Sequence, residues 1–193
     1  VSPEGKIAWI GHPLALDPIL AEAVSGGLDV SVRARMLPLE NALRGALQSR
    51  SPDMIVEAAD ALLEADPVHG DALRIRVAVA RQQGDVTSAR GVYERVFRAS
   101  LSADQAGSIA AGLLAEGDMR FRFPDLAKGF VDRVVEAEPG SFRALTLAAR
   151  LCYVTSRLEE AIALQAKAAA LDPAGSGDLE YYRAVKGMVL PQP

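Results

Sequence analysis

Three times in this chain a run of helix-forming residues ends on an acid followed by proline. Leu-Leu-Glu-Ala-Asp-Pro closes at Pro67, Val-Val-Glu-Ala-Glu-Pro at Pro139 and Ala-Ala-Ala-Leu-Asp-Pro at Pro173. Proline lacks a backbone N–H and disfavours helical geometry in the residue before it, so each dipeptide stops a helix. Pro139 and Pro173 stand 34 residues apart, room for two helices of about four turns each and the turns between them. A unit that small cannot bury its apolar face alone, so copies must stack. The architecture expected is all-α: about four helix pairs in a short solenoid.

Half of the residues are hydrophobic and only 5% are aromatic, with alanine prominent. Alanine carries no side-chain entropy and lets helix backbones approach closely, which suits such a stack. The formal charge of −4, from 25 acids against 21 bases, is not the basic footprint of a nucleic-acid binder. No apolar run reaches the roughly 18 residues that would span a bilayer. Cys152 is the single cysteine, which excludes an intrachain disulfide and argues against a zinc cluster. The chain opens on Val1 without a charged-then-apolar leader, so Val1 is read as an internal position of a longer product. Periplasm and cytoplasm stay equally open.

Along the chain, Lys6 to Ile10 reads as a short strand after the turn former Pro3-Glu4-Gly5 and before Gly11-His12-Pro13. Leu14 to Val24 carries Leu16, Ile19, Leu20 and Ala23 at helical spacing, and Ser25-Gly26-Gly27 ends it. Helix pairs follow. The first is expected over Met36 to His69, with Ser51-Pro52 opening its second helix, and the next over Gly70 to Ala103 around a Gly84-Asp85 turn. A third opens near Ala103, turns at Glu116-Gly117-Asp118 and carries extra residues, Met119 to Pro124, before a helix over Asp125 to Ala137. The fourth spans Phe142 to Gly175. Asp178 to Val189, with Leu179, Tyr182 and Val185 on one stripe, reads as a capping helix.

From Met36 to Gly175 the chain resembles the tetratricopeptide repeat family, whose paired antiparallel helices stack into a right-handed superhelix. Gly84-Asp85, Ala89 and Tyr93 match one copy; Ala149, Ala161, Ala168 and Pro173 match another. Leu43 and Ile55 stand where small residues are usual, and Leu101 replaces a closing proline. Residues 3–13, Pro-Glu-Gly-Lys-Ile-Ala-Trp-Ile-Gly-His-Pro, resemble the C-terminal hairpin of thioredoxin-like redoxin domains, with Leu14 to Val24 in the place of the last helix. That resemblance implies a division into a redoxin remnant (1–30) and a repeat domain (31–193). The family's Cys-x-x-Cys motif and cis-proline would lie upstream of Val1, so no catalytic pair is expected here.

For Cys152 the expected role is that of a small buried hydrophobe. His12 and His69 have no metal-ligand spacing, and His69 is expected to be solvated. Glu159-Glu160 suits the positive end of a helix. Trp9 is expected to pack on a sheet face, and the alternating Arg120-Phe121-Arg122-Phe123 to tuck its rings inward. Helical register places Glu40, Arg44, Arg74, Arg81, Arg143, Arg150 and Tyr153 along the concave face lined by first helices. Arginines there could hold a carboxylate or an acidic peptide, or be balanced by nearby acids. The chain is thus read as a protein-binding scaffold for a protein or peptide partner, with no cofactor, metal or catalytic residue. By the redoxin resemblance it would be the client-binding arm of a thiol–disulfide fusion. A plain adaptor without a redox link, or an oxidoreductase whose repeats serve oligomerisation, are the alternatives, and self-association is left open.

Overall fold

The computed structural model describes residues 29–189. The expected strand over 6–10, the helix over 14–24, Trp9 and His12 lie outside them. Among the described residues the regular structure is helical and no strand occurs. The helices are α1 (Val30–Ser49), α2 (Pro52–Ala65), α3 (Gly70–Gln83), α4 (Val86–Arg98), α5 (Ala103–Ala115), α6 (Pro124–Ala137), α7 (Phe142–Val154), α8 (Leu158–Leu171) and α9 (Ser176–Val189). Single 3-10 turns occupy Met119–Phe121 and Pro173–Gly175. The residues form two compact units divided between Val79 and Ala80, within α3.

The acid–proline dipeptides do more than stop helices. At Asp66, Glu138 and Asp172 the acid's own N–H closes the preceding helix, donating to the Leu62, Val134 and Ala168 carbonyls at 2.8, 2.9 and 3.0 Å. Three residues on, His69, Ser141 and Gly175 donate back to the acid's carbonyl at 3.1, 3.1 and 3.0 Å. Both aspartates add a side-chain tie, accepting from the Val68 and Ala174 N–H groups at 3.0 and 2.9 Å. His69 and Ser141 then cap the next helix: His69 Nδ1 accepts from Ala72 N–H at 3.2 Å, and Ser141 Oγ from Ala144 N–H at 3.1 Å. His69 is therefore half-buried at a helix start, not solvated as its position after a turn suggested. Where Leu101 replaces proline, a capping box serves instead, Ser102 Oγ accepting from Gln105 N–H at 3.2 Å and Gln105 Oε1 from Ser102 N–H at 2.9 Å.

In the first unit α1 begins at Val30, six residues ahead of the expected Met36. Asp29 makes the earlier start: its carboxylate accepts from the Ser31 and Val32 N–H groups at 2.8 and 3.2 Å. Pro38 lies inside the helix on its exposed side, where it removes one backbone donor without ending the ladder. Ser51 holds the N-cap position of α2, but Pro52 in the first turn carries that start, since the Ser51 side chain makes no cap bond. Met36, Leu43 and Ala46 of α1 are buried, as are Ala59, Leu62 and Leu63 of α2.

In the second unit Ala89, Ala149, Ala161 and Ala168 are all fully buried, the closeness their size was expected to permit. Gly84, at φ +70°, lets α3 turn into α4 under the Asp85 cap. The extra residues after Glu116 fold inward: Phe121 and Phe123 are buried, and Phe123 meets the Tyr93 ring edge-on at 6.0 Å. Phe123 adopts left-handed geometry, φ 43°, immediately before Pro124. For a bulky side chain this costs about 1–3 kcal/mol, which burial of the ring offsets. Helix α9 starts at Ser176, two residues before the expected Asp178, directly after the 3-10 turn at Pro173. Leu179 and Tyr182 are buried on its inner stripe and Val185 is half-buried.

Gly129 of α6 is a place where space decides the residue. A methyl group there would come within 2.7 Å of the Phe97 ring. That ring is trapped, edge-on to Phe130 at 5.2 Å and beneath the Arg133 guanidinium at 4.4 Å. Gly91 of α4 and Gly112 of α5 have open space instead. Alanine at either open site is expected to stabilise by about 0.5–1 kcal/mol. At Gly129 the overpacking of about 1–3 kcal/mol outweighs that gain and Gly129→Ala should destabilise. Urea titrations of the three variants check this, and a stabilising Gly129→Ala would refute the packing described.

Candidate functional site

The residues that sequence register placed on the first-helix faces fall in both units. In the first, Glu40 of α1 is half-buried, 3.5 Å from Arg33 and 4.0 Å from Nε2 of His69. Arg44 is exposed and donates to the neutral Asn41 side chain at 2.9 Å. Arg74 pairs with Asp71 one turn back, at 2.6 Å.

In the second unit, Arg81 reaches Glu116 at 3.1 Å. Arg143 pairs with the Asp104 carboxylate, donates to the Asp104 carbonyl at 2.7 Å and lies across Gly107, where any side chain would collide with it. Arg150 meets Asp178 at 3.0 Å. Tyr153 shares a hydroxyl contact of 2.9 Å with Tyr181 and stacks on Tyr182, ring centres 4.8 Å apart and planes within 22°.

These partners lie 28 to 39 residues away in sequence. Arg143 and Asp104 are 39 residues apart, Arg150 and Asp178 28, and Arg81 and Glu116 35. The register did not single out Arg90 or Arg133, yet both reach as far along the chain. Arg90 holds Asp125, 35 residues on, and lowers its carboxyl below the usual range by hydrogen bonding. Arg133 donates to the Phe97 and Ala99 carbonyls at the C-terminal end of α4. Each guanidinium thus reaches an element about one repeat away. Exposed pairs of this kind contribute about 0.2–1 kcal/mol each, so their main effect is to fix how one helix pair sits on the next. For Arg81 and Arg90 the signal was present in the sequence as an acid 35 residues on; for Arg133, Arg143 and Arg150 it was not.

An arginine fork that already holds a carboxylate offers little to an incoming one without exchange. Arg74, Arg81, Arg143 and Arg150 are each paired with an acid as they stand, and Arg44 is not. Cys152 is buried, and burial pushes its thiol above the ordinary value despite the opposing charge of Arg157, so it is a poor nucleophile near neutral pH. Glu159 and Glu160 occupy the first turn of α8 and pair with Lys186 and Arg157, at 2.7 and 3.2 Å. Among the described residues no cluster of three His, Cys, Asp or Glu side chains is arranged to hold a metal ion, and no helix is long and apolar enough to cross a membrane.

The model of the tetratricopeptide repeat matches residues 56–104 and 113–176, more than half of the chain. The chain belongs to the tetratricopeptide repeat family. The gap in the match, 105–112, falls within α5 of the third helix pair, ahead of its extra residues. Among solved structures, MamA from Desulfovibrio magneticus RS-1, residue 41 to its end, superposes with a TM-score of 0.51 at 21% identity, covering 78% of this chain and 85% of that one. A MamA RS-1 ArsTM double mutant gives the same score and identity, covering 78% and 84%. At that identity the likeness concerns the tetratricopeptide fold. No curated protein matches the chain.

Proposed function

We propose that this tetratricopeptide repeat chain is a protein-binding scaffold that holds a segment of its partner on the first-helix face of each unit taken by itself. The observation that carries this reading is the set of inter-repeat arginine ties, Arg81–Glu116, Arg90–Asp125, Arg143–Asp104 and Arg150–Asp178. They hold successive helix pairs before any partner arrives, and a preorganised surface loses little ordering entropy on binding. Glu40, Arg44 and Arg74 in the first unit, and Arg81, Arg143, Arg150 and Tyr153 in the second, are the proposed contacts. Because most of these charges are already balanced, the partner favoured is neutral or mixed in charge rather than strongly acidic.

Selection from a displayed random-peptide library tests this. Enriched peptides should bind with a Kd of about micromolar, and Tyr153→Ala should weaken them at least tenfold. Failure to enrich any sequence over an unrelated helical protein would remove the proposal.

Coupling to thiol–disulfide chemistry has the redoxin resemblance of residues 3–13 as its support. The mass and N-terminus of the native polypeptide decide it. An upstream Cys-x-x-Cys domain makes the chain a client-binding arm; a native start near Val1 makes it a plain adaptor.

A further inference from the structure

Three of the four tyrosines, Tyr153, Tyr181 and Tyr182, lie together where α9 covers α7. Their side chains do not stand alike. Tyr182 is buried, while Tyr153 is half-buried and Tyr181 is 54% exposed. The Tyr153 and Tyr181 rings meet edge-on, centres 5.7 Å apart at 66°, with their hydroxyl oxygens 2.9 Å apart. An exposed phenol held against a second phenol on another helix is an arrangement with its own chemistry.

We propose that Tyr153 and Tyr181 form an oxidative modification site, joined by a one-electron oxidant of the peroxidase class into an intrachain dityrosine that locks α9 onto α7. Each phenol gives up one electron and its hydroxyl proton, leaving spin on the oxygen and on the ring carbons beside Cζ. The two radicals couple through one such carbon from each ring. The hydrogens on those two carbons leave as protons while both oxygens regain protons and the rings recover aromaticity. In sum, one carbon–carbon bond forms, two ring C–H bonds break, and two electrons and two protons pass to one hydrogen peroxide, giving two waters.

The geometry favours this pair. In dityrosine the two hydroxyls flank the new bond side by side, so the oxygen–oxygen contact already in place is one the product retains. The shared hydrogen bond also gives the departing proton an acceptor, and Tyr181 gives the oxidant an edge to reach. Tyr182 offers neither, since it is buried and stacked flat on Tyr153. Tyr153 is also a proposed partner contact, but the coupling needs only the two phenols and does not rest on that reading.

The test treats the whole chain with a haem peroxidase and hydrogen peroxide, then separates monomer from oligomer under denaturing conditions. The monomer should carry dityrosine fluorescence, lose the mass of two hydrogen atoms, and yield a cross-linked peptide pair containing Tyr153 and Tyr181. Tyr153→Phe and Tyr181→Phe should each lower that signal at least tenfold, while Tyr182→Phe and Tyr93→Phe retain it. Oxidation in strong urea should abolish the monomeric product, because the pairing depends on the fold. The cross-linked protein should melt several degrees higher than the untreated one. Dityrosine confined to oligomers, or retained in Tyr153→Phe, or absent from the folded monomer, overturns the proposal.

Discussion

Replacing Phe130 by alanine is expected to cost about 3–5 kcal/mol, the largest loss from any single truncation proposed for this protein. Phe130 is fully buried in α6 and meets the edge of Phe97. The same helix buries Ala127, Val131 and Val134 around it, and none of these can extend into the space left behind. The void therefore stays open, and its lining forfeits contacts that nothing replaces. Urea unfolding followed by circular dichroism measures the loss. In an array whose elements touch chiefly their neighbours, so large a local deficit should also separate the transition into two steps. A loss under about 1.5 kcal/mol would mean that the site collapses around the cavity.

The second large effect concerns alkaline pH. Burial, aided by the Asp178 charge, pushes the Tyr182 hydroxyl up to about 12, with Arg150 opposing. An unfolded tyrosine ionises near 10. Below pH 10 both states keep the proton and the full stability is present. Between 10 and about 12 the unfolded chain sheds its proton while the folded one cannot, so stability falls as pH rises, by about 3 kcal/mol in total. Tyr182→Phe should remove this component and flatten the decline. Tyrosinate absorbance against pH, recorded with the unfolding signal, checks it. An unaltered pH profile in Tyr182→Phe would assign the decline elsewhere. Tyr153, held up by its bond to Tyr181, and Tyr93, held up by burial, lean the same way.

The helix pairs were legible because backbone chemistry is local. Asp66-Pro67, Glu138-Pro139 and Asp172-Pro173 carry their turn instructions within four residues, and Ala89, Ala149, Ala161 and Ala168 announce close packing by size alone. The early start of α1 was written in Asp29, but a cap signal ahead of an internal proline reads as loop until tertiary packing supports it. The surface residues were legible in position and not in state. Helical register puts Arg143 and Arg150 on one face of α7. It cannot say that Asp104, 39 residues earlier, and Asp178, 28 residues later, stand opposite them. Nor does spacing show that His69 will point a ring nitrogen at its own helix's N–H, since that follows from the turn made by Asp66.

The extra stretch between α5 and α6 has one more consequence. Arg143 and Asp104 lie 39 residues apart with that stretch between them, while Arg81 and Glu116, which do not span it, pair at 35. The chain has thus absorbed added length there without disturbing the contact between neighbours, with Phe121 and Phe123 turned inward to anchor the two ends. Gly117 and Met119, the latter 77% exposed, form the outer rim of this bend. A fluorophore, an affinity handle or a grafted loop introduced at that rim has a natural precedent for being tolerated. It would give this protein a point of attachment beside the Arg81–Glu116 tie, which such an insertion must leave intact.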